Sequence, residues 1–447
     1  MGSPALVHSA DSKPNFIFIL ADDMGWNDAG FCGNAFVETP CLNALAQKGV
    51  VFSKAYASAP NCAPTRACLL TGQYTPRHGV YTVVDDRHAP GSPHQKILAA
   101  ESRAELPASA VTLPEALKSG GYATALFGMW NLGRGRSGNG SPTEQGFDLY
   151  VEPKDLGFEK DAYRRSDGAY TSDALTEGAL KWIEGRKSQP FFLYLAFHDV
   201  HAPYEPKPDL LAKYKARPDV PDPVLAASVE AMDANIGRLL AGLKRMGLTE
   251  NTHIVFTSDN GGTRQYIAPL RGGKGTLYEG GLRVPAIFSG PGIPAGRLSD
   301  AQILTMDFYP TFLEIAGIPI SHKVDGTSLV PLLRGETEGL SRDLFWHFPS
   351  YSGPTSPCSA MRSGNWKVIE FFETGTTELY DLSRDVSEEK NLEAEQPERA
   401  RELLAKLHQW HEDTGAPCPR TPNPSYDPNT ERVRNREGRG KGNKSSQ

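Results

Sequence analysis

Five short runs rich in β-forming side chains alternate along this chain with segments of helical spacing. The runs are Asn15–Leu20, Tyr122–Phe127, Phe191–Phe197, His253–Thr257 and Val284–Ser289; the helical segments are Leu42–Lys48, Leu113–Lys118, Ser172–Ile183 and Pro223–Met246. Such alternation predicts an α/β fold, a large and mostly parallel sheet sandwiched by helices, because parallel strands need crossovers that cover both faces. The glycines of Leu117-Lys118-Ser119-Gly120-Gly121 supply a helix stop. After Pro331 the pattern changes. Leu344–Phe348, Trp366–Phe372 and Glu378–Leu382 read as short strands joined by turns, and a polar helix follows at Pro397–Glu412, with Pro397 suited to its first turn. A smaller C-terminal antiparallel sheet with one covering helix is therefore expected. This gives a catalytic-size unit over 14–331 and an α+β subdomain over 332–420. The Pro-rich stretch Pro417–Pro428 cannot continue the helix. Residues 429–447 read as a disordered basic tail, with six Lys/Arg against two Glu from Glu431 onward.

Composition excludes some classes of function. The 447 residues carry a net charge of −6, which argues against a general nucleic-acid binder. No apolar run approaches the ~18 residues of a membrane helix. Six cysteines fit neither C-x-x-C nor zinc spacing, although Cys358 and Cys418 could pair in an oxidising compartment.

Open parallel sheets bind ligands beyond the carboxyl ends of their strands. Four polar sets fall there: Asp22-Asp23, the segment Gly128–Gly133, His198 with His201, and Asp259-Asn260. Three carboxylates and an amide oxygen suit a hard divalent cation, Ca²⁺ or Mg²⁺. Each set alone has a plainer reading. Asp22-Asp23 also fits a helix cap, and Asp259-Asn260-Gly261-Gly262 a turn.

The run Cys62-Ala63-Pro64-Thr65-Arg66-Ala67-Cys68-Leu69-Leu70-Thr71-Gly72 predicts a helix with Pro64 in its first turn and Cys62 at its N-terminal mouth. Backbone N–H groups there favour an anionic group. Cys62 equally fits a buried structural cysteine, Arg66 a surface ion pair, and Cys68 a packing residue.

Taken together, these motifs resemble the formylglycine sulfatases of the alkaline-phosphatase superfamily. The resemblance runs from about Pro14 to Pro331, with Asp343–Leu392 resembling the C-terminal subdomain. It is carried by Ala21-Asp22-Asp23-Met24-Gly25, the Cys62 run, His198-Asp199-Val200-His201-Ala202-Pro203, Ser258-Asp259-Asn260-Gly261 and Gly273-Lys274-Gly275-Thr276-Leu277-Tyr278-Glu279-Gly280-Gly281, in order. It implies an alkaline-phosphatase-like fold and hydrolysis of a sulfate ester. It also implies Cys62 oxidised to formylglycine by a maturation enzyme, and one Ca²⁺, with Mg²⁺ second, held by Asp22, Asp23, Asp259, Asn260 and residue 62. Arg66 would hold the formylglycine hydrate. His201 and Lys274 would contact sulfate, one of them assisting the leaving group; Lys274 alone would otherwise read as a solvated loop lysine.

The chain departs from the family at Gly128-Met129-Trp130-Asn131-Leu132-Gly133, where G-K-W-H-L-G is usual. Met129 removes a sulfate-binding charge, and Asn131 keeps a hydrogen bond but no base. One lost charge-assisted contact costs ~1.5–3 kcal/mol. Arg134, Arg136 or His198 could compensate, the substrate geometry could differ, or the chain could be impaired; a working, divergent sulfatase is the reading adopted. Aromatic and basic groups among Tyr74, Arg77, His78, Trp346, His347 and Tyr351 would suit a sulfated sugar, with half of them expected to be structural, and the C-terminal pattern resembles carbohydrate sulfatases. Rival readings are a phosphodiesterase or phosphonate monoester hydrolase, and a catalytically impaired sulfoglycan-binding homologue. Met1-Gly2-Ser3 reads as a start that replaces an export signal, so a periplasmic or secreted location is expected.

Overall fold

The computed structural model describes residues 13–83, 91–133, 140–159, 163–263, 265–351 and 355–430. Arg134, Arg136 and the tail from Glu431 lie outside the described residues.

The large sheet contains β1 (Asn15–Ala21), β2 (Gly49–Tyr56), β3 (Ala123–Gly128), β4 (Leu149–Val151), β5 (Phe191–Phe197), β6 (Thr252–Ser258), β7 (Ala286–Ser289) and β8 (Arg297–Leu304). Their order is β4-β3-β5-β1-β6-β7-β2-β8, and β7 alone runs antiparallel to its neighbours. The central strand β1 is buried throughout and apolar on both faces. Phe16, Phe18 and Leu20 join one core with Phe308 and Phe312, while Ile17, Ile19 and Ala21 join a second with Leu225, Val229 and Ile236. That is why its sequence reads as a continuous apolar run rather than an alternation.

The smaller sheet is antiparallel, in the order β12-β11-β10-β9, with β9 (Leu344–Phe348), β10 (Cys358–Ser363), β11 (Trp366–Phe371) and β12 (Thr377–Asp381). The helix Pro397–Thr414 covers it through Ala400, Leu403, Leu407 and Trp410. Cys358 is buried and Cys418 exposed, and both thiols are free rather than joined.

Sequence periodicity did not anticipate β2, β4, β8 or β10. β8 is an edge strand carrying Arg297, Ser299, Asp300 and Gln302, and β4 has only three residues. The Pro-rich stretch does more than end a helix. It returns as a strap, with Thr421 O accepting from Leu98 N at 2.9 Å and Asn423 Nδ2 donating to Ser92 O and Gln95 O at 2.9 and 2.8 Å. Among the described residues no helix is long and apolar enough to cross a membrane.

Candidate active site

Register sets the site. Ala21 of β1 lies opposite Phe197 of β5 and Ser258 of β6, and Gly128 of β3 lies opposite Ala196. The next residue on each strand therefore leaves the sheet at one level. Asp22 is flanked by His198 and Asp259, and Met129 emerges one strand further along. Gly128 has φ +109°, and a Cβ there would lie 2.0 Å from Ala196 O, so only glycine lets β3 end this close to β5. Gly128→Ala is expected to cost about 2–5 kcal/mol from backbone strain and overpacking, read as a lowered unfolding transition.

Helix Cys62–Thr71 enters beneath this edge. All ten residues are buried, and Gly72 at φ 66° closes it with its N–H on Cys68 O. Burial on every side explains why the segment lacks an exposed polar stripe. Cys62 Sγ and carboxylate oxygens of Asp22 and Asp259 lie within 4.8 Å of one another, and a second such group joins Asp22, Asp23 and His201. Arg66, one turn on, is also buried. Its Nε donates to Asp259 Oδ2 at 3.1 Å, its Nη2 to Asp22 Oδ2 at 3.0 Å and to Asp259 Oδ2 at 2.8 Å, and its Nη1 to Met129 O. The guanidinium thus clamps two carboxylates at fixed spacing, which excludes the surface ion pair.

Around this clamp, Lys274 Nζ lies 2.6 Å from Asp23 Oδ1, which also accepts from Asn260 Nδ2 at 2.9 Å. Asp23 is held at φ 67° and Asn131 at φ 57°, left-handed conformations that short polar side chains tolerate. Asn131 Nδ2 is 3.5 Å from Asp22 Oδ2. His198 Nδ1 donates to the same oxygen at 2.9 Å, and its ring stacks between Tyr163 and His201, at 5.2 and 4.3 Å. His201 Nδ1 donates to Ala202 O at 2.6 Å, leaving Nε2 3.7 Å from Asp23 Oδ2. His201 and Lys274 remain partly open to solvent, with 29% and 24% of their side-chain surface exposed.

Burial would raise the Asp22 carboxyl, but Arg66 and then His198 outweigh it and hold it well below the usual range. Asp259 is pushed up to about 7 by burial and by the negative charge of Asp22. Burial and then Asp22 push the Cys62 thiol up to about 12. Burial lowers the His201 imidazole, whereas the acidic groups around Lys274 outweigh its burial and keep the ammonium charged.

The residues present fit a hard cation. Asp22 Oδ1 and Asn260 Oδ1 are buried oxygens without a hydrogen-bond partner, an arrangement that costs free energy unless something else coordinates them. Asp23 is less free, since Lys274 and Asn260 already engage its Oδ1.

The suggested sugar contacts fare differently. Tyr74, His78, Trp346, His347 and Tyr351 are all buried, and Arg77 pairs with Asp325 at 2.7 Å. Trp346 Nε1 donates to Ala57 O at 2.9 Å, tying the smaller sheet to the loop before the Cys62 helix. Tyr74 and Trp346 pack in the core of the smaller sheet, and Tyr351 in a separate cluster with Ile97 and Phe372. Sequence reasoning missed Glu279 as an anchor of the Lys274 loop, although it stands inside the quoted Lys274 motif.

Comparison with known proteins agrees with this geometry. Residues 14–318 match the Sulfatase family profile, and residues 273–414 match the profile "N-sulphoglucosamine sulphohydrolase, C-terminal". A sulfatase of Formosa agariphila is 33% identical, covering 95% of this chain and 96% of its own. The N-acetylgalactosamine-6-sulfatase of Mus musculus is 31% identical, covering 87% of this chain and 78% of its own. Among solved structures, Ps i-CgsB in complex with k-i-k-neocarrahexaose superposes with TM-score 0.76 at 26% identity, over 95% of this chain and 97% of that one. The phosphonate monoester hydrolase of Agrobacterium radiobacter shares the fold, with TM-score 0.70 at 23% identity, over 90% of this chain and 96% of that one. With the family profile spanning most of its length and relatives above 30% identity, this chain belongs to the sulfatase family of the alkaline-phosphatase superfamily and is a sulfatase.

Proposed function

We propose that the protein hydrolyses O-sulfate esters of carbohydrates, using residue 62 after its oxidation to formylglycine and one Ca²⁺ ion. The observation that carries this reading is the gathering of Cys62 Sγ with Asp22 and Asp259, beside two buried oxygens that lack partners. When present, formylglycine hydrate supplies an oxygen nucleophile for attack on sulfur, made more acidic by the cation.

The chain's own residues set the remaining terms. Asp22, Asp23, Asp259 and Asn260 would hold the ion, with Asp22 and Asp259 kept in place by Arg66. Lys274 and His201 stand at the open side, where they would meet the sulfuryl oxygens and the departing alcohol. Met129 adds no charge to that side, so Lys274 carries more of the work than a two-lysine site would ask of it. The carbohydrate assignment draws on the relatives named for N-acetylgalactosamine 6-sulfate and on the neocarrahexaose complex.

The grouping of Asp22, Asp23 and His201 gives a two-ion phosphate reading some purchase. Lys274 weighs against it, because its ammonium lies 2.6 Å from Asp23 Oδ1 and would repel a second cation there. The binder reading draws on Met129 and Asn131, and one experiment decides it. The mass of the Cys62 peptide is measured on protein matured with the formylglycine-generating enzyme, and sulfate release is then assayed on a panel of sulfated saccharides. Release by converted protein supports the enzyme. Binding without release across the panel would leave a sulfoglycan-binding homologue.

Chelation provides a test independent of turnover. Removing Ca²⁺ returns mutually repelling carboxylates to a buried site, so the unfolding transition is expected to fall. The expected loss is about 2.7 kcal/mol relative to protein held at a hundredfold excess over Kd. Mg²⁺ should restore it less well, since it gives up its water reluctantly and demands tighter geometry.

A further inference from the structure

Lys274 stands in Arg271-Gly272-Gly273-Lys274-Gly275, where Gly272 and Gly275 take φ 81° and 85°. Three glycines in five residues lose much conformational freedom on ordering, so something must fix the ammonium beside Asp23. At the tip, Lys274 N donates to Gly262 O at 3.1 Å and Gly275 N to Pro60 O at 2.9 Å. At the base, Gly280 N donates to Arg271 O at 2.8 Å and closes the loop.

Both posts of that base are tied to the C-terminal sheet and the turn beyond it. Arg271 Nη1 donates to Tyr380 Oη and to Glu388 O, each at 2.9 Å, and its guanidinium lies 4.0 Å from the centre of the Tyr278 ring. The hydroxyls of Tyr278 and Tyr380 both donate to Glu378 Oε2 at 2.8 Å. On the other post, Glu279 N donates to Glu388 Oε2 at 2.7 Å. The Arg271 guanidinium is therefore engaged with the smaller sheet, while its main chain closes the loop that carries Lys274.

From these contacts we propose that Arg271 is a positioning residue for Lys274, fixing the loop on the C-terminal sheet so that the ammonium faces the anion site. The proposal rests on the sulfate-ester reading of that site. It makes a specific claim about coupling: the effect of Arg271 should exist only while Lys274 is present.

The test is a double-mutant cycle on calcium-loaded protein carrying formylglycine, with binding of inorganic sulfate measured by calorimetry. Lys274→Ala is expected to weaken sulfate about tenfold or more, and Arg271→Met about fivefold. In the Lys274→Ala background, Arg271→Met should change affinity by less than about twofold. Amide exchange over residues 272–278 should rise in Arg271→Met, and Arg271→Lys should recover part of the lost affinity. Equal losses from Arg271→Met in both backgrounds would overturn the proposal, as would a clear loss in Lys274→Ala with none in Arg271→Met. No sulfate binding by the wild type, or no effect of Lys274→Ala, would sink the sulfate-site reading itself and this inference with it.

Discussion

Lys367→Met is expected to destabilise the fold by about 3–5 kcal/mol, the usual cost of removing one partner from a buried ion pair. Lys367 on β11 is fully buried, with Nζ 3.1 Å from Glu279 Oε1 and 2.8 Å from Glu388 Oε1. Glu279 keeps other support in the variant: Tyr56 Oη donates to it at 2.8 Å, and Arg283 and Arg362 lie 3.5 and 3.7 Å away. Among the described residues Glu388 keeps one hydrogen bond to its carboxylate, from the Glu279 N–H, so most of the cost falls there. Methionine fills the volume but leaves this carboxylate in a low-dielectric junction between the two sheets.

The sign of the pH dependence separates this account from simple loss of packing. Burial raises Glu388 above its unfolded value, only partly opposed by Lys367. A raised carboxyl costs stability progressively as pH rises above the unfolded value of about 4.3. Burial would raise Glu279 too, but Lys367 and then Arg283 outweigh it, so this group contributes stability that is lost as pH falls. Removing Lys367 moves both groups upward. The Glu279 share of the deficit is already present near pH 4.5, whereas the Glu388 share develops above it, so the deficit should be smaller near pH 4.5 and largest at pH 7–8. Unfolding by urea at both pH values checks this, and equal deficits would point to packing alone.

The parts of the fold legible in the sequence are those in which one strand satisfies its own constraints. β5 and β9 carry apolar runs that match the observed Phe191–Phe197 and Leu344–Phe348. The site was legible for a related reason. A parallel sheet brings its carboxyl ends to one edge, so polar residues placed just after strands converge whatever lies between them. What stayed hidden depends on distant partners. Arg66 reads locally as an ion pair of unknown address, and its carboxylates lie 44 and 193 residues away in sequence. Tyr74 and Trp346 read locally as sugar platforms, because an aromatic side chain does not reveal whether a second sheet covers it. β10, with Cys358, Ser359, Ala360, Met361, Arg362 and Ser363, has no β-branched residue and is a strand only because β9 and β11 flank it.

Cys62→Ala is expected to lower sulfate release by about four orders of magnitude or more, the scale on which loss of a nucleophile is felt. The fold should survive. The side chain is small and 4% exposed, and deleting one buried sulfur costs far less than the several kcal/mol of a Leu→Ala cavity. The cation should also remain, because Asp22, Asp23, Asp259 and Asn260 are unchanged, and its stabilisation of the unfolding transition reports that separately from turnover. A variant that folds and binds Ca²⁺ but releases no sulfate assigns the loss to chemistry at residue 62. Unconverted wild-type protein should behave the same way, since a thiol lacks the second hydroxyl through which a hydrate reverts to its aldehyde. Retention of more than about one hundredth of the rate by Cys62→Ala would instead require water as the attacking oxygen, a single displacement in which residue 62 is only a neighbour of the ion. The geometry argues against that outcome, because the N-terminus of a fully buried helix is spent on bringing this one side chain to Asp22 and Asp259.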